Sequence, residues 1–361
     1  MSATAFQFLL FGLDTVECSY YLRPVEGPGI DFEALAIKKE ISRLAKSKDS
    51  MVATLGGTDF LLQSNGTKSG YPYVLENRDF TIRCGEFNNP PFFVTFRSEA
   101  LWRNTALGMH ERFLAWARCL GYREEERNPH VLGRVDFTFD YQLSNVDFDE
   151  ESFVTLASKE SKHRTDRVMT GVAYGTGDTR LRVYDKTMEI AEASHKVWFF
   201  DLWGCKESVW RIEWQTRKDL LRRFGIRTFD DLMALQGDVL RYLSTEHDTL
   251  RIPNGDSNRS RWSLHPLWLD LQTQIAKLDA QGVIRVVDEQ AMLQERLMRI
   301  AISTYGNLKR VAAIYGLLRG KERVTQVNAV RHLADLLYKT HNSLTWDTDV
   351  KKRMDQMRLG Q

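Results

Sequence analysis

A tyrosine flanked by positive charges lies in the stretch Arg182-Val183-Tyr184-Asp185-Lys186. Polar and apolar residues alternate from Arg180 to Lys186, and this period of two predicts a β-strand. One face of that strand would then carry Arg180, Arg182, Tyr184 and Lys186. Such a face can present a phenol oxygen to an anionic group, so Tyr184 is a candidate nucleophile.

Two further stretches carry carboxylates at the same period. In RVDFTFD, the charged face of the strand would hold Arg134, Asp136, Thr138 and Asp140. In WRIEWQTR, it would hold Arg211, Glu213, Gln215 and Arg217. If the three strands are neighbours in one antiparallel sheet, these charged faces and Tyr184 form a single surface.

Carboxylates that face one another repel unless a divalent cation or arginines neutralise them. We therefore predict that Asp136, Asp140 and Glu213 bind Mg²⁺ or Mn²⁺, because hard cations prefer carboxylate oxygens. The alternative is structural: Asp136 and Glu213 would pair with Arg134 and Arg211 as a ladder of charges.

Together these residues could open a phosphodiester bond. The metal would polarise a phosphate oxygen while Tyr184 attacks phosphorus, which leaves a covalent phosphotyrosine and a free 3′-hydroxyl. A free phenol has a pKa near 10, so we expect Lys186 and Arg182 to favour the phenolate and to stabilise the reacting phosphate. A purely structural tyrosine that covers the sheet is the alternative.

The elements around these strands predict an α+β fold. We expect two related halves with curved antiparallel sheets flanked by helices, followed by a C-terminal helical domain. The predicted domains are 1–129, 130–250 for the half with the tyrosine strand, and 251–361. In the first, Asp31 is a candidate N-cap, and residues 98–121 are predicted to form one long helix.

The C-terminal region is predicted to be helical and locally basic. Between Asn307 and Lys339 it has seven Lys or Arg against two acids, a surplus suited to phosphate contacts. Two helices joined by a turn at Gly320 would resemble a helix-turn-helix reader of DNA. A solvated basic face on a helical bundle is the alternative. The candidate DNA-binding residues of the whole chain are Arg134, Arg180, Arg211, Lys309, Arg310, Arg319, Lys321 and Arg323.

Composition sets broad limits on the protein. The chain has 361 residues, 43% hydrophobic and 27% charged, with a net charge of +2, so it can bury a core while its overall charge does not indicate a nucleic-acid partner. Four cysteines lack metal-site spacing. We expect a reduced, cytoplasmic protein without a membrane span.

At these motifs the sequence resembles the replication initiation factor family of the Rep trans type. That family includes rolling-circle initiators of plasmids and phages and relaxases of conjugative elements. The resemblance covers roughly residues 5–245 and is carried by FGLDTVECSYYL, RVDFTFD, GTGDTRLRVYDK and RIEWQTR. It implies a site-specific DNA nickase with Tyr184 as nucleophile, the acids of the flanking strands as metal ligands and a ring-like homodimer. The chain has no His-hydrophobic-His pair, which fits this family.

We therefore expect an enzyme that nicks one strand of origin DNA and forms a 5′-phosphotyrosine to start rolling-circle replication, with a host helicase as a possible partner. A conjugative relaxase would use the same chemistry. A non-catalytic origin-binding protein on the same scaffold is the alternative from another class, and it would leave DNA intact.

Overall fold

The computed structural model describes residues 6–25, 27–44, 51–126, 130–278 and 289–358. The chain divides into two compact units, Met1–Val286 and Val287–Gln361. The first unit contains every strand and the three motifs described above. The predicted domain boundary at 250/251 stays a prediction, although helix residues after it, such as Leu267 and Trp268, belong to the large core of the first unit.

The first half of this unit contains eight strands and three helices. In chain order they are β1 (Phe6–Tyr20), β2 (Leu22–Pro24), α1 (Phe32–Leu44), β3 (Met51–Leu55), β4 (Thr58–Leu62), β5 (Tyr73–Glu76), β6 (Phe80–Cys84), β7 (Phe92–Phe96), α2 (Ser98–Asn104), α3 (Ala106–Cys119) and β8 (Tyr122–Glu124). The predicted N-cap at α1 is confirmed, since Asp31 accepts a hydrogen bond from the Ala34 amide at 2.8 Å.

The second half starts again with a long strand. Its elements are β9 (His130–Leu143), β10 (Phe153–Thr155), β11 (Glu160–Thr165), β12 (Val168–Tyr174), β13 (Thr179–Asp185), α4 (Lys186–Glu189), α5 (Phe199–Trp203), β14 (Val209–Arg217), α6 (Lys218–Arg223), α7 (Phe229–Tyr242), β15 (Asp248–Leu250) and α8 (Pro266–Ile275). Short 3₁₀ or π turns lie at Glu150–Ser152, Ile190–Ser194, Leu243–His247 and Arg259–Arg261.

Eleven strands form one antiparallel sheet in the order β11-β12-β13-β14-β9-β1-β7-β6-β5-β4-β3. The long strands β1 and β9 pair at its centre, and each half continues outward on its own side by the same connections. The predicted α+β class with two related halves and flanking helices is confirmed. The two halves share one continuous sheet, and the described strands do not close into a barrel.

One predicted element is wrong. Residues 98–121 form two helices, because Thr105 adopts a left-handed backbone conformation with a φ of 63° and ends α2. Its side chain then accepts a hydrogen bond from the Gly108 amide and so caps α3. The hydrophobic period continues across this break, which is why the pattern alone indicates a single helix.

Strand alternation creates a core face and a charged face. Phe137, Phe139 and Trp214 are fully buried in the core on one face. The opposite face of the central strands is also covered, since Gly12 on β1 has no side chain and the Trp102 ring of α2 lies over it. A Cβ at Gly12 would lie 2.5 Å from that ring. The charged face is therefore buried near β1 and more open at β12 and β13.

The second unit is helical. It contains α9 (Glu289–Arg319), α10 (Gln326–Thr340) and α11 (Trp346–Arg358). A turn follows α9 at Gly320, whose φ is +61°, and the Thr325 hydroxyl caps α10 through the Asn328 amide. Across the described parts of both units, we find no helix with the length and apolar character that crossing a membrane requires.

Candidate active site

The three motif strands are neighbours in the order β13, β14, β9, so their charged faces form one surface. Tyr184 pairs with Arg211, and Arg211 pairs with Asp140. The next row joins Arg182 to Glu213. A third row joins Arg180, Gln215 and Asp136. Residues paired in this way share one face of a sheet, so the polar side chains that were predicted to meet are brought together.

The Tyr184 hydroxyl is hydrogen-bonded to a carboxylate. Its hydroxyl donates to Glu213 Oε2 at 2.9 Å, and Arg182 donates to Glu213 Oε1. Burial raises the pKa of Tyr184 well above its usual value, and the Glu213 charge adds to this rise although Arg211 and Arg182 oppose it. The raised pKa favours a neutral phenol and not the expected phenolate. An attack by the phenol oxygen would therefore need a base, and Glu213 is the carboxylate bonded to it.

Arg211 is fully buried and joins two carboxylates. It donates from Nε to Asp140 Oδ1 at 2.7 Å, from Nη2 to Asp140 Oδ2 at 2.8 Å and from Nη1 to Asp14 Oδ1 at 3.0 Å. The Trp203 indole also donates to Asp140, at 2.9 Å. A side chain with no exposed surface cannot contact DNA in this arrangement, so Arg211 acts here as a structural cation.

Asp14 completes this network and was missed as a functional candidate. The register of β1 against β9 shifts between Leu13 and Thr15, which leaves Asp14 as an extra residue in β1. It also accepts hydrogen bonds from Ser98 and Lys196, at 2.8 and 3.2 Å. Burial would raise its pKa, but the charges of Arg211, Lys196 and Lys186 and the Ser98 hydrogen bond lower it below the usual range. A bulge is hard to find by alternation, which assumes an unbroken period.

Asp136 forms its own ion pair, in which Arg134 donates from Nε at 2.8 Å and from Nη2 at 2.5 Å. Burial nevertheless raises the pKa of Asp136 to about 6; the Arg134 hydrogen bond opposes this and the nearby Glu213 charge adds to it. About half of the Asp136 carboxyl groups are therefore protonated near pH 6.

Asp136→Asn tests this shift through the pH dependence of stability. The unfolded chain loses the Asp136 proton near pH 3.8, whereas the folded chain keeps it until about pH 6. Between these values the folded state binds more protons, so its stability falls as pH rises. A shift of about two units corresponds to about 3 kcal/mol. Urea unfolding at pH 4.5 and 7.5 covers most of this interval and should therefore show the variant gaining about 2 kcal/mol over wild type at the higher pH. If the variant and wild type differed in stability by the same amount at both pH values, the raised pKa of Asp136 would be contradicted.

Lys186 begins α4 and does not continue the strand as predicted, because Asp185 caps that helix through the Met188 amide. Its ammonium is buried and lies 2.5 Å from Glu189 Oε2, and it is 5.6 Å from the centre of the Tyr184 ring. Burial lowers the pKa of Lys186, and the Arg211 charge lowers it further. Lys186 therefore pairs with Glu189, and its predicted catalytic role stays a prediction.

The three predicted metal ligands do not fit a divalent cation in this arrangement. Asp136, Asp140 and Glu213 each pair with a different arginine, and both Asp140 oxygens accept hydrogen bonds inside the core. The predicted alternative of carboxylates neutralised by arginines matches these contacts: Asp136 pairs with Arg134 as expected, whereas Glu213 pairs with Arg182 and not with Arg211. Binding of Mg²⁺ or Mn²⁺ by these residues stays a prediction.

A different group could hold a metal ion. Within the described ranges, His110, Glu124 and His130 place their ligand atoms within 4.8 Å of one another. Burial lowers the pKa of His110 to about 4, and His130 adds to this effect, so His110 is neutral at pH 7. His130 accepts a hydrogen bond from the Phe229 amide through Nε2 at 3.3 Å, which metal binding at that nitrogen would have to replace. These three residues lie on α3, β8 and β9, whereas Tyr184 lies on β13.

An open pocket of about 460 Å³ lies beside Tyr184. Arg180 and Arg182 also line it. The Nε atoms of these two arginines are buried and lack a hydrogen-bond partner among the described residues. Both side chains are partly exposed, so their guanidinium groups can bind an anionic ligand in the pocket. A larger pocket of about 820 Å³ nearby has no Lys or Arg among its lining residues and does not suit a phosphate.

The remaining predicted DNA-binding residues lie in the second unit. Lys309 and Arg310 are on α9, Arg319 ends it, and Lys321 and Arg323 lie in the turn before α10. All five are exposed. Their side chains are free to contact a phosphate backbone, and their role stays a prediction.

Comparisons with known proteins give one distant likeness. No protein-family model matches the chain, and no curated protein matches it significantly. Among solved structures, the chain is similar to the rolling circle replication initiator protein from Geobacillus stearothermophilus, with 16% sequence identity and a TM-score of 0.43. The match covers 76% of this chain and 100% of that one. This likeness is too weak to carry an argument about function, which therefore depends on the site itself.

Proposed function

We propose that this protein nicks and rejoins one strand of DNA through a covalent 5′-phosphotyrosine at Tyr184, and that it thereby initiates rolling-circle replication. The observation that carries this proposal is the hydrogen bond from Tyr184 to Glu213 beside an open pocket that the partly exposed side chains of Arg180 and Arg182 line. A nucleophile, a base and an anion-binding pair are the parts that phosphodiester transfer requires.

Substrate binding is the first step. A phosphodiester in the pocket would accept hydrogen bonds from the guanidinium groups of Arg180 and Arg182, because both side chains are partly exposed. Arg182 also donates to Glu213, so its guanidinium would bridge the phosphate and the carboxylate. The same positive charges stabilise the negative charge that builds up on the phosphate during the reaction.

The chemical step follows from the hydrogen bond between Tyr184 and Glu213. The phenol oxygen attacks phosphorus as its proton moves to Glu213 Oε2, which avoids forming a free phenolate in a buried site. The bond between phosphorus and the 3′-oxygen breaks, and its electron pair stays with that oxygen. The products are a 5′-phosphotyrosine and a DNA 3′-end that can prime synthesis, and the reverse reaction rejoins the strand.

The proposal is tested by incubating the protein with supercoiled DNA that carries its replicon, with Mg²⁺ or Mn²⁺ present and with an EDTA lane alongside. Denaturing gels then separate relaxed DNA from protein-linked DNA. A relaxed product with protein attached to a 5′-end supports the proposal. Tight binding to a verified origin without any nick would instead favour the non-catalytic origin-binding protein.

Origin binding is proposed to involve the exposed basic residues of the second unit. Lys321→Ala combined with Arg323→Ala should lower the slope of log affinity against log salt concentration by about 2, since each phosphate contact contributes about 0.9. Fluorescence anisotropy with origin duplex across a salt series measures the slope. Arg78→Ala with Arg103→Ala is the matched control, because both of these exposed cations pair with Glu99 in the first unit. An equal slope for both double variants would exclude the predicted contacts.

A further inference from the structure

His163 lies in the same row of the sheet as Tyr184. It pairs with Gly171 of β12, and Gly171 pairs with Tyr184 of β13. Paired residues share a face, so the imidazole and the phenol project from the same side of the sheet. Two strand spacings of about 4.8 Å separate their backbones by roughly 10 Å. His163 is exposed and lines the same pocket as Tyr184 and both arginines.

Gly171 keeps the space between the two side chains open. A Cβ at this position would lie only 2.8 Å from the Cβ of Tyr184. The next residue on this face of β12 is Ala173, which pairs with Arg182. The floor of the pocket is therefore made of small residues. One wall carries Tyr184 and the arginines, and the other carries His163, with room for a phosphodiester between them.

In-line attack gives the two walls different roles. The leaving 3′-oxygen departs on the side of phosphorus opposite to the attacking phenol. It leaves as a strongly basic alkoxide unless a proton reaches it. Arginines cannot supply that proton at neutral pH, and Glu189 in the same pocket is already bonded to Lys186. Imidazole is the side chain best suited to exchange a proton near neutral pH.

We propose that His163 is the general acid of the nicking reaction, an inference that rests on the proposed function. As the Tyr184 oxygen forms its bond to phosphorus, the bond between phosphorus and the 3′-oxygen breaks, and the released electron pair takes the proton of the His163 imidazolium. The Tyr184 proton moves to Glu213 in the same step. In rejoining, neutral His163 accepts the proton of the 3′-hydroxyl and Glu213 returns its proton to the tyrosine.

Replacing the leaving atom tests this role. Two oligonucleotides span the site at which the wild-type protein forms its adduct, one with the natural 3′-oxygen and one with sulfur in that bridging position. His163→Ala and His163→Gln should cleave the oxygen substrate about 10² to 10⁴-fold more slowly than wild type. Both variants should cleave the sulfur substrate within a few-fold of wild type, because a thiolate leaves without a proton. Lys162→Ala is the matched control on the same exposed strand and should cleave both substrates normally.

The outcomes distinguish a failure of the general-acid role of His163 from a failure of the proposed nicking function. Wild-type rates for the His163 variants on the oxygen substrate, or an equal loss on both substrates, would overturn the role of general acid while the nicking function stands. If wild-type protein forms no adduct, or if Tyr184→Phe still forms one, the proposed function fails and this inference fails with it. His163→Gln keeps a polar side chain on the edge strand, so circular dichroism of this variant distinguishes lost chemistry from lost folding.

Discussion

Tyr184→Phe should bind origin DNA as tightly as wild type and form no covalent adduct. The substitution removes the oxygen that attacks phosphorus in the proposed reaction and keeps the ring against its neighbours. Glu213 keeps its contact with Arg182, so its charge stays compensated. Loss of one hydrogen bond should change the free energy of unfolding by only about 1 kcal/mol. Adduct formation on a denaturing gel and binding by anisotropy measure the two expected results.

Tyr174→Phe is the matched control for this variant. Tyr174 lies on the neighbouring strand β12, and its buried hydroxyl donates at 2.8 Å to the backbone carbonyl of Glu150, not to a carboxylate oxygen. The control should form the adduct as wild type does. If Tyr184→Phe retained the adduct and Tyr174→Phe lost it, the nucleophile would be Tyr174 and the role given to Glu213 would be wrong.

The strands of this site could be predicted because their evidence is local. Alternation with a period of two identifies a strand and sorts its residues onto two faces without any knowledge of its neighbours. It therefore placed Tyr184, Asp136 and Glu213 on charged faces that the fold unites. The order of strands in the sheet is not local, and it required the structure to show that β14 lies between β13 and β9.

Among the charged residues, only the pair of Asp136 with Arg134 is local to one strand, and it could be predicted in the same way. Glu213 has one arginine within two residues along its strand and Asp140 has none, so only the register decides that Arg211 pairs with Asp140 while Arg182 pairs with Glu213. Asp14 depends on a bulge, which breaks the period. The role proposed for His163 depends on Gly171, which lies between His163 and Tyr184 in the sheet. A larger side chain in place of Gly171 would fill the space between them.

Arg211→Met should strongly destabilise the fold, by about 3 to 5 kcal/mol, because it leaves a buried carboxylate without its cation. Asp140 would keep only the Trp203 indole, and Asp14 would keep Ser98 and Lys196. The guanidinium also lies 4.5 Å from the centre of the Phe199 ring, a contact that methionine replaces only in part. Urea unfolding followed by circular dichroism measures the loss.

Arg211→Met combined with Asp140→Leu distinguishes this cause from simple loss of packing. Removing both charges should recover much of the lost stability, since apolar residues of similar volume can replace a buried ion pair at little cost. Arg78→Ala is the control, because Arg78 is exposed where it pairs with Glu99, and its effect should be far smaller. A double variant as unstable as Arg211→Met alone would show that shape, and not the buried charge of Asp140, is what Arg211 supplies.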